Sequence, residues 1–220
     1  MKKKDETKQV TESNLYKEFE VEVQFRDKIY GGIPKYKDKV KEYVEGKFGE
    51  QNKDLADKLI DEVKAIEDEI EIRWSGFKID DGNGLYMCDY HWKAMIKMAA
   101  TLLRITSKKN GRQICQHGIF IKPPKIFLDR KEPDGYEEFA GTVTVFGQGK
   151  RSILNRYDYV DKAKVKFIVR MLNTGINKNF EIINEDELHT CFIYGQELGM
   201  LSCKSYEKGK YDLIKFNRID

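Results

Sequence analysis

An alternating stretch near the start of the chain constrains the fold more than any other feature. In residues 15–25 the apolar side chains of Phe19, Val21, Val23 and Phe25 alternate with glutamate and glutamine. A period of two places the apolar set on one side of an extended strand and the polar set on the other. One face is therefore expected to cover a core while the other meets solvent, which is typical of an antiparallel sheet.

Similar patterns predict further elements along the chain. Residues 139–146 and 165–172 are rich in β-branched and other apolar residues and are predicted to be strands. Residues 91–105 and 186–198 show helical periodicity, whereas residues 74–85 are rich in turn formers and are predicted to form a loop. The order of elements favours an α+β fold with an antiparallel, ferredoxin-like sheet.

The chain is expected to form a single α+β domain over residues 14–220, after a disordered tail at residues 1–13. The tail is charged and lacks the apolar run of a secretory signal. Residues 35–72 carry eight lysines against twelve Asp or Glu, and their two helical stretches are predicted to form an acidic helical insertion. This insertion is interpreted either as a solvated helical pair or as a surface for a protein partner.

Positive charge is concentrated in the middle of the chain. Residues 91–156 hold thirteen Lys or Arg and five Asp or Glu, a net charge of +8 in a chain whose total is +3. Charge segregated in this way indicates a cationic surface suited to a polyanion. Within the first strong helix, Lys93, Lys97 and Arg104 are predicted to form a basic stripe opposite the apolar side. An ordinary amphipathic helix with a cationic exposed face is the alternative.

A second cationic cluster follows the strand predicted at residues 139–146. Glycines before it are expected to bend the chain, and two tyrosines are interleaved with its cations. Cations that neutralise a phosphate backbone, beside rings that stack on bases, favour RNA or single-stranded DNA as the ligand. A hairpin loop with buried tyrosines and solvated cations is the alternative. The cluster consists of Lys150, Arg151, Arg156, Tyr157 and Tyr159.

The C-terminal part of the chain contains a glycine- and lysine-rich loop before a strand predicted at residues 211–216. Gly195, Gly199 and Gly209 bracket the lysines of this loop. Glycine permits a close approach of backbone, and amide and ammonium groups presented together suit a phosphate backbone. The lysines predicted to contact phosphates are Lys204, Lys208 and Lys210.

This loop resembles the hallmark of the RAMP superfamily, the ferredoxin-like CRISPR proteins that bind or cut guide RNA. In that superfamily a C-terminal glycine-rich loop carrying Lys or Arg packs against the closing strand. Gly199, Lys204, Gly209 and Lys210 match the motif in kind, whereas Leu201 stands where a second glycine is expected. The resemblance implies a ferredoxin-like fold, RNA binding and a role in antiviral defence.

The sequence offers little support for catalysis. His117 is the candidate general base of a metal-independent ribonuclease, with lysines and an arginine nearby, but no second acid or base is positioned for it. No nucleotide-binding, zinc-binding or nucleophile motif is present. Neither a cofactor nor a metal site is therefore predicted, and an enzyme is the less favoured class.

The cysteines and the hydropathy bear on location. Cys88, Cys115, Cys191 and Cys203 lie far apart and form no CxxC pair, which favours free thiols in a reducing cytoplasm. No apolar run reaches the length of about 18 residues that a membrane span needs.

The favoured function is a non-catalytic protein that binds RNA or single-stranded DNA through a basic face. Two alternatives stay open. One is a protein-interaction or inhibitor module of a viral or antiviral-defence system, acting through the acidic helices of residues 35–72. The other is a ribonuclease based on His117.

Overall fold

The structure is a computed structural model that describes residues 15–35, 72–105, 111–145, 149–173 and 183–219. The tail predicted at residues 1–13 and nearly all of the predicted acidic insertion lie outside these ranges. None of the described helices is long and apolar enough to cross a membrane. The helices are α1 (Asp89–Leu102), α2 (Gly111–Gly118) and α3 (Glu185–Leu198).

Strands predominate over helices in the described part of the chain, and most neighbouring strands are antiparallel, which confirms the predicted α+β class. The strands are β1 (Tyr16–Phe25), β2 (Ile29–Tyr30), β3 (Ile33–Pro34), β4 (Ile72–Gly76), β5 (Lys78–Asp80), β6 (Gly84–Cys88), β7 (Ile119–Lys122), β8 (Lys125–Phe127), β9 (Gly135–Val145), β10 (Gly149–Val160), β11 (Lys164–Leu172) and β12 (Tyr211–Arg218).

The main sheet has four strands in the order β12-β1-β11-β7. Every neighbouring pair in it is antiparallel. As a result, β1 and β7 run parallel to each other with β11 between them. Helices α1 and α2 connect β1 to β7 in sequence, and α3 connects β11 to β12. This is the split β-α-β arrangement of a ferredoxin-like βαββαβ fold, as the order of elements predicted.

The structure confirms which face of β1 is buried, as the alternation of apolar and polar residues predicted. Phe19, Val21, Val23 and Phe25 are all fully buried, on the face of the sheet that α1 and α3 cover. Trp92 of α1 lies fully buried at the centre of this core, among the rings contributed by the strands and by α3. The polar face of the sheet is held by cross-strand ion pairs, which lie on β1 and its two neighbours.

Local signals fix where the helices begin. Asn184 caps α3, because its side chain accepts a hydrogen bond from the Glu187 amide (2.9 Å) while the Glu187 carboxylate accepts one from the Asn184 amide (2.8 Å). At the start of α1, the Cys88 amide donates to Nδ1 of His91 (3.2 Å). Both helices therefore lie close to the predicted ranges, although α1 ends at Leu102.

The prediction of a loop at residues 74–85 is wrong. This stretch holds most of β4, all of β5 and the start of β6, whose five residues are all buried. β4 runs parallel to β10 in a second sheet of order β2-β10-β4-β3, and β6 pairs with β5 and β8 in a third. Strand β4 depends on β10, which lies far away in sequence, whereas the turn formers at residues 81–83 join β5 to β6 in a hairpin.

The bend predicted at Gly147 lies outside the described residues, and Gly149 is the first residue of β10. Strand β10 pairs with β9 in an unbroken antiparallel register of eleven residue pairs, from Gly149 and Val145 to Tyr159 and Gly135. The described part of β4 pairs with residues 154–157 of β10. Residues 141–145 and 149–153 therefore form a two-stranded extension, here called the β9–β10 ribbon, with no further strand partner among the described residues.

Replacing residues 36–71 by four residues, Thr-Thr-Asn-Gly, is expected to leave the fold intact. Ile33 pairs with Gly76, and the Lys35 amide donates to the carbonyl of Trp74 (2.9 Å), so β3 and β4 already run side by side up to Lys35 and Trp74. The two threonines would extend β3 opposite residues 73 and 72, and Asn-Gly would then close the hairpin as a two-residue connection. Circular dichroism and thermal unfolding would check this, and loss of cooperative unfolding would contradict it.

Candidate nucleic-acid interface

The main sheet has two ends, and the predicted cations are divided between them. Helix α3 starts at the Tyr16 end, where Lys17 and Glu185 lie 4.0 Å apart. It finishes at the Arg26 end, where Arg26 bonds to Glu197 at 2.5 Å. Helix α1 runs antiparallel to α3 in this topology. It therefore starts at the Arg26 end and finishes at the Tyr16 end. The C-terminal loop and the end of α1 are therefore separated by roughly the length of α1, about 20 Å.

The C-terminal loop at the Arg26 end is closed on itself by its glycines. The Met200 amide donates to the carbonyl of Gly209 (2.9 Å). A Cβ on Gly199 would lie 2.4 Å from the Lys208 carbonyl oxygen, and one on Gly209 would lie 2.2 Å from the Met200 carbonyl oxygen. Both glycines also have positive φ, +67° and +75°. These glycines are needed for the approach of one side of the loop to the other.

Two of the three lysines predicted in this loop have acidic partners. Lys208 lies 2.9 Å from Asp27, and Lys210 lies 3.4 Å from Glu197. Lys204 is exposed and forms no ion pair with a described acidic residue. The structure therefore leaves one of the three predicted phosphate contacts without a neutralising partner.

The Arg156 guanidinium also has an acidic partner. It bonds to the Glu138 carboxylate at 2.6 and 2.9 Å on the neighbouring strand β9. The rings of Trp74 and Tyr136 lie on it, with centroids 4.6 and 4.5 Å from the guanidinium carbon. These contacts fix the side chain as a link between β4, β9 and β10, so it is not a free cation.

The sequence groups Arg156 with Tyr157 and Tyr159, but the strand separates them. Successive side chains of β10 point to opposite faces, so both tyrosines lie on the face away from the guanidinium. There they pack around the buried ring of Tyr30, with centroids 6.5 and 6.2 Å away, and the Lys28 ammonium lies 4.1 Å from the Tyr159 ring centre. A single surface of alternating cations and stacking rings is therefore not formed here.

The same tyrosine cluster contains a carboxylate with two donors. The Glu137 carboxylate accepts hydrogen bonds from the Lys28 ammonium and the Tyr30 hydroxyl. The Lys28 bond, followed by the Tyr30 bond, holds the pKa of Glu137 below its ordinary value of 4.5. Burial, followed by the bond to Glu137, raises the pKa of Tyr30. The cluster is thus held together most firmly while Glu137 is ionised.

A Glu137→Gln variant is expected to lose stability at neutral pH and to lose little in acid. Because the pKa of Glu137 is lower in the folded state, its stabilisation is fully present above its unfolded pKa and disappears as pH falls through the folded pKa. The difference in thermal midpoint between wild type and variant should therefore shrink between about pH 7 and about pH 3. A difference that stays constant over this range would contradict the assignment.

Lys150 and Arg151 lie in the β9–β10 ribbon, opposite Thr144 and Val143. The ribbon contains these two cations and no acidic residue. Its five residues per strand correspond to about 17 Å of extended chain. The two predicted contacts therefore belong to a two-stranded element with a net positive charge.

The helices α1 and α2, with the residues that directly follow α1, carry a larger group of cations that have no acidic partner among the described residues. Lys97 donates to the side-chain oxygen of Gln116 on α2 (2.7 Å), and Lys93 lies 5.1 Å from the centre of the Phe120 ring. This group, here called the α1–α2 basic surface, consists of Lys93, Lys97, Arg104 and Arg112.

The cations of this surface are close enough for one to lower the pKa of another. Partial burial lowers the pKa of the Lys93 ammonium, and the positive charge of Lys97 lowers it further. Arg104 is exposed immediately after α1, with a φ of +50°. An anion that bound here would relieve repulsion between neighbouring cations, since no described carboxylate within ion-pair distance already does so.

A groove of about 360 Å³ runs between α1 and α2 on this surface. Met98 and Leu102 line it and are 49% and 53% exposed, so apolar area lies next to the cations. The sequence did not assign Arg112 to the interface. The packing of α2 against α1 brings it beside Lys97 across this groove, and no local pattern indicates that packing.

The histidines provide no catalytic arrangement among the described residues. His117 is exposed near the end of α2, with no hydrogen-bonded acid or base beside it. His91 takes part in the start of α1, and the ring of His189 packs against Phe216 at 5.0 Å. In the described part of the chain, no group of three His, Cys, Asp or Glu is arranged to hold a metal ion.

No protein-family model matches the chain, and no curated protein matches it. The RAMP resemblance therefore depends on the loop itself. The loop lies between α3 and β12, the last helix and last strand of the βαββαβ order. Leu201, where the superfamily motif has a glycine, has a φ of +61°, in the left-handed region that favours glycine.

Proposed function

We propose that this protein binds RNA or single-stranded DNA without cleaving it, and that the α1–α2 basic surface makes the main contact. The observation that carries the proposal is the absence of described acidic partners for the four cations of this surface. Lys208, Lys210 and Arg156, which the sequence also nominated, each have a carboxylate within ion-pair distance. The chain thus pairs some of its cations with its own carboxylates, whereas the cations of the α1–α2 basic surface have no carboxylate within ion-pair distance among the described residues.

Unpaired cations are the ones expected to contribute most to binding. A cation that neutralises a phosphate releases condensed counterions, and this release drives non-specific binding to nucleic acid. A lysine that already has a carboxylate partner must first give up that partner. The exposed apolar side chains of Met98 and Leu102 add area against which unpaired bases can pack, which favours a single strand over a duplex.

Lys150 and Arg151 form a second proposed contact, because the β9–β10 ribbon carries no acidic residue. Lys204 is the remaining predicted cation without a described acidic partner. The RAMP resemblance of the C-terminal loop supports RNA as the ligand and antiviral defence as the setting. The four free cysteines are in keeping with a cytoplasmic location, which is part of the same proposal.

Neutralising two cations of the surface is expected to reduce the salt dependence of binding. For a Lys97→Gln/Arg112→Gln variant, the slope of log affinity against log salt on a labelled single-stranded oligonucleotide should become shallower by about 1.4, since each phosphate contact contributes about 0.7. Affinity at low salt should fall for all sequences alike, because these contacts are to the backbone. Fluorescence anisotropy over a salt series measures both quantities.

A Lys208→Gln/Lys210→Gln variant is the matched control, since it removes the same charge from positions that have acidic partners. It should keep most of the wild-type affinity and slope. The proposal fails if wild type does not bind at low salt, or if both double variants weaken binding equally. Equal weakening would mean that net charge matters and that the α1–α2 basic surface has no special role.

A further inference from the structure

The outer edge of β9 is open over its whole length in the described structure. All eleven residues of this strand pair with β10 on one side, and no described strand pairs with the other side. An edge of this kind presents a row of unpaired amide and carbonyl groups, which can accept another extended strand.

This edge lacks the features that usually prevent strand addition. Natural edge strands are protected by charged side chains, proline or bulges. Residues 139–145 of β9 contain no charged residue and no proline, and the register with β10 runs without a bulge. Four β-branched residues in succession, Thr142 to Val145, give this stretch a strong preference for extended structure.

Pairing with β10 alone does not give β9 a stable two-stranded ribbon. Over residues 141–145, β10 is the one described strand beside β9, and no other described strand pairs with residues 149–153 of β10. A two-stranded ribbon is marginally stable in water, and three or more strands are needed for independent stability. The β9–β10 ribbon therefore gains most if a further strand is added at the β9 edge.

We propose that the added strand is β9 of a second copy of this chain, in an antiparallel pair centred on Thr142. In that register residues 139–145 of one copy lie against residues 145–139 of the other. Glu137 and Glu138 fall outside the paired stretch, so no like charges oppose each other. The pairing is self-complementary about a two-fold axis and forms a continuous four-stranded ribbon, β10-β9-β9-β10, across the two copies.

A second copy fits this edge better than a charged peptide does. Residues 139–145 have no charge with which to select a basic or acidic partner. The same residues of a second copy, running in the opposite direction, have the same length and are also uncharged. In a pair related by a two-fold axis, the β9 edge of each copy is covered by the β9 edge of the other. No β9 edge remains for a third chain, so the assembly is a dimer.

The test combines the mass in solution with cross-linking at two positions of β9. Light scattering on the full chain should give twice its mass of 25.8 kDa, with dissociation on dilution. In a Cys203→Ser background, which removes the one cysteine that is not buried, Thr142→Cys should form a disulfide-linked dimer under mild oxidation. Val145→Cys should not, because its two copies would lie about 20 Å apart along the strands.

A single-chain mass at every concentration would overturn the proposal. So would a dimer that cross-links equally at both positions, or one that cross-links at Val145→Cys alone, since each implies another register or another surface. A dimer without a cross-link at Thr142→Cys also counts against it. Both substitutions lie on an edge strand of the described sheet and change little volume, so circular dichroism should show that the variants fold.

Discussion

Replacement of Asp158 by alanine is expected to lower the free energy of unfolding by about 3 kcal/mol, because it breaks a buried ion pair from one side. The Asp158 side chain lies in the second sheet and the residue is only 3% exposed. One oxygen accepts a hydrogen bond from the indole nitrogen of Trp74 (2.7 Å), and the other lies 2.5 Å from the Lys35 ammonium. Alanine leaves both donors without their acceptor.

The size of the effect follows from what remains after the substitution. Breaking a buried ion pair typically costs about 3–5 kcal/mol, because a charge stays behind without a partner. The Lys35 side chain is 23% exposed and reaches some water, so the lower end of this range applies. A Lys35→Met variant should cost at least as much as Asp158→Ala, since the carboxylate that it leaves without a cation is only 5% exposed.

Asp212→Ala is the matched control, with the same chemical change at an exposed carboxylate. Its ion pair with Arg26 (2.7 Å) has a half-exposed acidic partner, and such pairs contribute about 0–1 kcal/mol. Urea unfolding monitored by circular dichroism gives both free energies. If the two substitutions cost the same, burial of the Lys35–Asp158 pair is not what stabilises the second sheet.

Gly209→Ala is expected to lower the free energy of unfolding by about 2–4 kcal/mol, combining left-handed strain with a backbone clash. The residue has a φ of +75°, and its added Cβ would lie 2.2 Å from the Met200 carbonyl oxygen. That oxygen belongs to the backbone, so no side-chain rotation relieves the contact. The C-terminal loop must open or β12 must shift.

Gly82→Ala provides the control for this prediction. Gly82 lies in the exposed turn between β5 and β6, and the nearest atom to its added Cβ would be 3.9 Å away. Its cost should stay within about 0.5 kcal/mol. Gly209→Ala would contradict the structural role of this glycine if it weakened nucleic-acid binding without changing stability, because the glycine would then serve the ligand and not the closure of the loop.

Much of the main sheet is predictable from sequence because its signals are local. The alternation in β1 places Phe19 and Val21 in the core, and the Asn184 cap marks the start of α3. Strand β4 is not predictable in this way, since its stability depends on pairing with β10, about eighty positions later in the chain. Its glycine and serine therefore resembled the beginning of a loop.

The candidate interface was predicted in part. Helical periodicity predicted Lys93, Lys97 and Arg104 on one stripe; Lys93 and Lys97 lie on α1, whereas Arg104 follows the end of the helix with a φ of +50°. Arg112 was not assigned to the surface, because its place beside Lys97 depends on how α2 packs against α1. The tyrosines of β10 were grouped with Arg156 by sequence proximity, although neighbouring residues of a strand face opposite sides.

The sequence by itself determined the α+β class of fold, three of the four strands of the main sheet with helices α1 and α3, and the concentration of positive charge between residues 91 and 156. Only the tertiary structure decided which cations are available to a ligand. Lys208 meets Asp27 across 181 positions of sequence, whereas the cations of α1 and α2 meet no described carboxylate. The physical reason is that an ion pair needs two charges within a few ångströms of each other, and that distance is set by the order of strands in the sheet and the packing of helices on it.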